Sequence, residues 1–165
     1  MDITRHYSVL NPNSIEPFMI HIIGCGATGS RMAEDLVRLG FTNFTLWDSD
    51  IVEPHNRANQ LYNKVDEKIL KTTALKKNML AIEPSLIIKE MSNFIDDDIT
   101  TKELNSQKSF VFMFTDNKES RINIFNKVRL NPKVLGVLNT RVGLESGVVN
   151  IFNPMLLSHC KEYAK

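Results

Sequence analysis

Three glycines stand close together in the run Gly24-Cys25-Gly26-Ala27-Thr28-Gly29, and Asp48 comes about twenty residues after the last of them. An apolar run, Ile20 to Ile23, leads into the glycines; a helix-patterned stretch comes next, and a second apolar run ends in Asp48. Each part has a physical job. Gly24 permits a tight turn, Gly26 lets the backbone approach a phosphate, and Gly29 lets a helix pack close to a strand. The unpaired N–H groups of that helix's first turn then face an anion. A carboxylate at the end of the second strand accepts hydrogen bonds from ribose hydroxyls. These residues imply a nucleotide site of adenosine geometry. Which nucleotide it holds is not decided by the turn, which suits a dinucleotide as well.

Such a site needs strands and helices in alternation. Phe18 to Ile23 is almost continuously apolar, as a parallel strand covered on both faces must be. A helix from about Thr28 to Leu39 lines up Met32, Leu36 and Leu39, and Gly40 stops it. Phe44 to Trp47 is the next strand. Ile51 to Tyr62 has neither period and contains Pro54, so it is expected to be a loop at a strand's carboxyl end, where ligands sit. The helical period returns from about Glu67 to Ile82, anchored by Ile69, Leu75, Met79 and Ile82, with Pro84 as the stop. Leu86 to Ile88 reads as a short strand, and Asp96 to Asp98 as a helix start, since carboxylates favour that end of the dipole. Ser109 to Phe114 is a strong strand ending in Thr115-Asp116-Asn117, with a helix from about Glu119 to Leu130 behind it. Val134 to Leu138 and Val148 to Phe152 read as strands joined through Gly143 and Gly147 as a hairpin. The sum is an α/β fold: a Rossmann-like, doubly wound, mostly parallel sheet with helices on both faces. It is expected to occupy residues 18–165 behind an irregular arm, residues 1–17, that carries Pro12 and Pro17.

Composition narrows the function classes. The chain has 165 residues, 42% hydrophobic and 24% charged, ordinary for one globular domain with a real core. A net charge of +1 gives no reason to invoke nucleic acid or a membrane. No apolar run approaches membrane-spanning length, and the first residues lack the pattern of a signal peptide. Cys25 and Cys160 cannot form a disulfide framework, so reduced thiols and a cytoplasmic setting are expected. Cys25 is expected to fill space within the turn rather than to react. His21, in an apolar strand, is expected to be a core histidine with its hydrogen bonds met. Lys76 and Lys77 read as a solvated helix face, and His55 either touches ligand or makes a structural hydrogen bond.

The residues after Asp48 separate two chemistries. A typical dehydrogenase enters a helix within a few residues of that acid. Here the chain runs Asp48-Ser49-Asp50-Ile51-Val52-Glu53-Pro54-His55-Asn56-Arg57-Ala58-Asn59-Gln60, then reaches Lys71, and later Thr115-Asp116-Asn117. The series resembles the ThiF/MoeB/HesA family, whose adenylyltransferase fold is shared with the ubiquitin-activating enzymes, over roughly Ile20 to Phe152. The resemblance implies that Asp48 holds the ribose, that Asp50 opens the nucleotide loop, and that Asn56 contacts phosphates. It makes Lys71 the ATP-contacting lysine, Asp116 the magnesium-linked aspartate of adenylation, and Arg121 an arginine of the same site. Gly24, Gly26, Gly29, Arg57, Asn59, Gln60 and Asn117 complete the expected nucleotide set. Two departures stand out. Asn59 occupies the place before Gln60 where the family carries arginine; either Arg57 reaches the phosphates from another direction, or triphosphate handling is weakened. The chain also stops early: Cys160 falls near the family's first zinc cysteine, but Tyr163 stands where the second would be, so neither a zinc site nor a thioester cysteine is expected.

The implied activity is ATP-dependent adenylation of the C-terminal carboxylate of a ubiquitin-like or sulfur-carrier protein ending in Gly-Gly, by a homodimer. Its alternative is a catalytically reduced module that binds nucleotide or a partner. The chemistry suits the residue types. A carboxylate attacking the α-phosphate brings two anions together and releases pyrophosphate. The site therefore needs cations (Lys71, an arginine, magnesium) and an acid to hold the metal. No nucleophilic side chain is required. Arg5, in the arm, would reach a neighbouring protomer's phosphates if it matches the family's N-terminal arginine.

Overall fold

The computed structural model describes Thr4 and residues 17–92, 97–143 and 145–164, with the backbone alone for 97–99. Arg5, Asp96 and all of the N-terminal arm except Thr4 and Pro17 lie outside the described residues. The elements are β1 (Met19–Ile23), α1 (Ala27–Arg38), β2 (Asn43–Trp47), α2 (Lys71–Ile82), β3 (Ile87–Met91) and α3 (Asp97–Ser106). They continue with β4 (Ser109–Met113), α4 (Lys118–Val128), β5 (Val134–Val142), β6 (Gly147–Phe152) and α5 (Leu157–Tyr163). The six strands form one sheet in the order β3-β2-β1-β4-β5-β6. The first five are parallel, and β6 returns antiparallel to β5.

Strand order reverses between β1 and β4. The chain winds outward through β1, β2 and β3, then crosses back to build β4 and β5 on the other side, leaving a crevice at the carboxyl ends of β1 and β4. β1 is apolar at four of its five positions because it is central, buried along its whole length between β2 and β4. Its even residues, Ile20 and Ile22, pack with Phe44, Leu46 and Ile88 beneath α1 and α2. The opposite face gathers Ile23, Trp47, Val111 and Met113 with Leu104 of α3 and Ile124, Phe125 and Val128 of α4. Helices therefore cover both faces, as the alternation of elements requires. Among the described residues no helix is long and apolar enough to cross a membrane.

Where the structure departs from the sequence reading, tertiary contacts are the reason. The second long helix starts at Lys71, not near Glu67. Residues 64–66 form a separate 3-10 turn closed by a capping box between Asn63 and Asp66. Lys68 then takes a positive φ of 68°, and Leu70 bridges antiparallel to Ile51. β3 runs on to Met91 and β5 to Val142, because each has a neighbouring strand to pair with. Helix α5 has no readable period in the sequence; it forms because its residues pack on the sheet. Lys76 and Lys77 are not simply solvated: they pair with Glu90 at 2.7 Å and with the wholly buried Asp66 at 3.2 Å.

His21 is wholly buried, and the expectation that its bonds are met holds for one nitrogen. Trp47 Nε1–H donates to Nδ1 at 3.3 Å, while Nε2 has no partner among the described residues. Burial, and then the charge of Lys89, push its pKa down to about 3. The folded protein thus keeps His21 neutral, whereas the unfolded chain protonates it below about pH 6.5. The folded pKa is the lower one, so stability is full above pH 6.5 and falls by about 1.4 kcal/mol per unit as the pH drops toward 3. Denaturant melts between pH 6.5 and 5.0 should show this slope, and His21→Gln should flatten it.

The glycine contact makes a second prediction. A Cβ on Gly29 would lie 1.8 Å from the Gly24 carbonyl oxygen, whereas one on Gly26 would meet nothing within 4 Å. Gly29→Ala should cost on the order of 3 kcal/mol, and Gly26→Ala less than about 1 kcal/mol. Thermal unfolding of the two variants side by side measures the contrast.

Candidate functional site

A cleft of about 430 Å³ opens at the strand-order reversal and is lined by the glycine turn, the end of β2, Lys71, the loop after β4 and the end of β5. Its size falls within the range of small-molecule sites. The turn is held from both sides. Gly24 adopts a φ of 91°, with its Cβ position 3.0 Å from the Phe114 backbone, so a side chain is excluded by conformation and by space. Gly24 N–H bonds the Trp47 carbonyl at 2.8 Å, tying the turn to β2. The first bond within α1 joins Ser30 N–H to the Gly26 carbonyl, and the first turn of α1 carries no acid. Open space in front of Gly26 and the first-turn amides beside it form an anion cradle.

Asp48 locks the turn. Its Oδ2 accepts the Cys25 N–H at 2.7 Å, and its Oδ1 accepts the Asp50 N–H at 2.9 Å. Asp50 in turn pairs with Lys71, Nζ to Oδ2, at 2.7 Å, and the Lys71 N–H bonds the Asp50 carbonyl at 2.8 Å. The Lys71 side chain is only 10% exposed while that of Asp50 is 64% exposed, so the cation sits inside and its partner at the rim. Tyr62 closes the ring: its hydroxyl donates to the Cys25 carbonyl at 2.6 Å. Burial, followed by the nearby Cys25, Asp48 and Asp66, pushes the phenol pKa up, so it stays a donor. Burial and Asp48 likewise push up the Cys25 thiol, which therefore stays protonated and inert.

The loop after β4 is shaped by Arg121. Its Nε donates to the Thr115 carbonyl at 2.9 Å and its Nη2 to the Asp116 carbonyl at 2.7 Å. Asn117 caps α4, accepting from the N–H groups of Glu119 and Ser120. Asp116 is exposed on the cleft lining. Its carboxylate meets no donor or cation among the described residues. Gln60 Oε1 and Thr115 Oγ1 are buried without a hydrogen-bond partner among the described residues, and both residues line the cleft. Unmet polar atoms in a pocket wall can be met there by water or by a polar ligand.

Of the residues expected at the site, Gly24, Gly26, Asp48, Asp50, Gln60, Lys71, Asp116, Asn117 and Arg121 line this one cleft. Gly29 stands behind it as the contact between helix and strand. Asn56, Arg57 and Asn59 are not brought to the lining. Asn56 is buried, with its Oδ1 on the Glu53 N–H at 2.8 Å and its carbonyl receiving the Gln60 N–H at 2.9 Å. It thus holds the turn that presents Gln60. Arg57 is turned to Glu67 at 2.9 Å, and Asn59 is exposed. His55 lies 3.3 Å from Glu53 at the surface. Sequence reading misses Tyr62, a lone aromatic in a loop, and misses Thr140 and Arg141, which reach the cleft because β5 is longer than its apolar run.

A family model, that of the ThiF family, matches residues 6–154 of the chain. Among curated proteins, the ubiquitin-like modifier-activating enzyme 5 of Arabidopsis thaliana is 32% identical over 93 residues, which is 56% of this chain and 21% of that protein. The fold is similar to that of E. coli tRNA N6-threonylcarbamoyladenosine dehydratase, TcdA, with a TM-score of 0.72 at 20% identity, over 82% of this chain and 57% of that one. E. coli MccB, solved with ATP, gives a TM-score of 0.66 at 20% identity, over 83% of this chain and 41% of that one. The chain thus spans about a fifth of its curated relative's length and less than three fifths of these solved chains.

Proposed function

This chain belongs to the ThiF family, and from that premise we propose that it is an ATP-dependent adenylyltransferase acting on the C-terminal carboxylate of a ubiquitin-like or sulfur-carrier protein. The observation that carries the reading is the convergence of the anion cradle, Asp48, Lys71 and the free Asp116 carboxylate on one cleft. In this reading the ribose lies on Asp48, the phosphates lie on the first turn of α1, and Lys71 and Arg121 offset their charge. Gln60 Oε1 and Thr115 Oγ1, unmet among the described residues, are the polar atoms a nucleotide would satisfy.

Magnesium fits the donor set. It is usually held by one or two carboxylates together with substrate phosphates, and Asp116 would be the carboxylate that holds it here. When bound, it supplies charge neutralisation at the phosphates. The protein's own contribution is positioning: Arg121 fixes the carbonyls of Thr115 and Asp116, on either side of the Asp116 α-carbon, and Lys71 is fixed through Asp50. The substrate carboxylate attacks the α-phosphorus, the bond to the bridging oxygen breaks, and pyrophosphate leaves with its electron pair. A tail ending in Gly-Gly suits the cleft because only a chain without side chains passes easily into such a confined site.

A homodimer is part of the proposal. Leu138 faces Ile151 and Thr140 faces Val149 across the β5–β6 ladder, and Ile151, Val149 and Val142 on that face are 75%, 64% and 79% exposed. An apolar strip of this kind suits burial against a second copy. Sedimentation at micromolar concentration should show twice the chain mass, and Val149→Lys should return it to a monomer.

The reduced-module alternative draws on Arg57 being paired with Glu67 and on Asn59 standing outside the cleft. Two measurements separate the readings. Calorimetry should show magnesium-ATP binding in preference to NAD; tighter NAD binding would sink the nucleotide assignment. Isotope exchange between pyrophosphate and ATP with candidate carrier proteins should occur, and Asp116→Asn should lower its rate about a hundredfold or more without loss of fold. ATP binding without exchange would favour the reduced module.

A further inference from the structure

Arg141 differs from the other cations of the cleft. It stands at the carboxyl end of β5 and lines the cleft. Lys71 is tied to Asp50, and Arg121 to two backbone carbonyls. Arg141 meets neither an acid nor a carbonyl among the described residues; what it meets is a ring. Its guanidinium carbon lies 5.7 Å from the centroid of Tyr163, within cation–π range. Tyr163 stacks on Phe152, with centroids 4.6 Å apart, and leans on Phe125 at 5.0 Å. Helix α5 is thus fastened to β6 and α4 by an aromatic column, and the column carries Arg141. A guanidinium lying on a ring keeps its in-plane N–H donors available for a carboxylate.

Its place in the fold indicates which anion. Along the sheet's carboxyl edge the order is Asp48 after β2, the glycine turn after β1, Asp116 after β4, and Arg141 on β5. With the ribose on Asp48 and the phosphates at α1, Arg141 lies beyond Asp116, two strands or about 10 Å from β1. That is the side away from the nucleoside, where the second reactant has room to approach. This reactant brings a negative charge toward a negatively charged phosphate and needs a cation of its own.

We propose that Arg141, seated on Tyr163, binds the terminal carboxylate of the acyl substrate before adenylation, with Tyr163 as its positioning residue. The inference rests on the adenylyltransferase reading and names the residue that receives its second substrate. Once the carboxylate oxygen is bonded to phosphorus and pyrophosphate has left, the charge that Arg141 held is gone, so the contact belongs to the ground state. Its loss therefore raises the KM for the acyl substrate more than it lowers kcat.

The test uses the full chain with the non-hydrolysable α,β-methylene analogue of ATP and a synthetic hexapeptide ending in Gly-Gly, prepared as the free acid and as the amide. The wild type should bind the acid at least about tenfold tighter than the amide, as expected for a charge-assisted contact. Arg141→Ala should abolish that preference while ATP affinity stays within about twofold. Tyr163→Leu should weaken the preference, and Tyr163→Phe, which keeps the ring, should retain it. A preference that survives Arg141→Ala overturns the assignment. So does a tenfold loss of ATP but not AMP affinity in Arg141→Ala, which would give Arg141 to the triphosphate. A wild type that binds ATP but does not distinguish acid from amide overturns it too. A wild type that binds no ATP at all strikes instead at the adenylyltransferase reading.

Discussion

Helix α1 begins so close to β1 that no methyl group fits between Gly29 and the Gly24 carbonyl. The rest of the site depends on that approach. It aims the first-turn amides of α1 across the end of the sheet, and it fixes Gly24 against the Phe114 backbone, 3.0 Å from where a Cβ would stand. The turn is thereby wedged between its own helix and the loop that carries Asp116. A displacement of α1 by the width of one methyl group would move the anion cradle away from Asp116, and reacting groups tolerate little misplacement.

Polar bonds hold the cradle in register where packing cannot. Asp48 commits one oxygen to the β1 turn and the other to its own loop, at Cys25 and Asp50. Each oxygen keeps a lone pair, so under the proposed function ribose hydroxyls would add to these bonds rather than replace them. Lys71 is nearly buried, which would be costly without a partner, and Asp50 supplies one. Because Asp50 is itself exposed, water could take it over if, as proposed, Lys71 turned to a phosphate, and no buried acid would be stranded. Tyr62 ties the Cys25 carbonyl from behind. The glycine turn thus meets a carboxylate on one side and a phenol on the other.

Much of this is legible in the chain, for physical reasons that differ by residue. The glycine turn and Asp48 are readable because few residue types satisfy their backbone demands, and the covered strands because burial on both faces leaves few polar positions. The start of α2 is not readable, because the left-handed Lys68 and the Leu70 bridge to Ile51 override a helical period. The family resemblance gives Arg121 a place at the site; in the structure its guanidinium holds the Thr115 and Asp116 carbonyls, a task with no signature in the sequence. Asn56 and Arg57 carry a phosphate expectation, but a capping box and a salt bridge take their side chains. Helix α5 is invisible in the sequence because seven residues with no apolar stripe depend on contacts distant along the chain.

Tyr163 illustrates that dependence. In the sequence it is notable only as the residue standing where a second zinc cysteine would be; in the structure it lies on Phe152 and beside Phe125 while Cys160 packs beneath, its Sγ 3.2 Å from the Pro154 carbonyl. Dispersion and ring stacking thus attach α5 without a metal. The attachment acts through the alternation of β5. Val137, Asn139 and Arg141 point to the face that carries α4 and α5, while Leu138, Thr140 and Val142 share the other face with Val149 and Ile151. One strand therefore turns Arg141 toward Tyr163 with one set of side chains and presents an apolar strip with the next, while its end, Thr140 to Val142, borders the cleft. A slip of one residue in the β5–β6 register would exchange the two sets, putting an arginine on the apolar strip and a valine over Tyr163. Phe152, buried opposite Val137 and stacked on Tyr163, opposes that slip because its ring would leave the core. The same aromatic column that attaches α5 thereby also sets which residue of β5 lies over Tyr163.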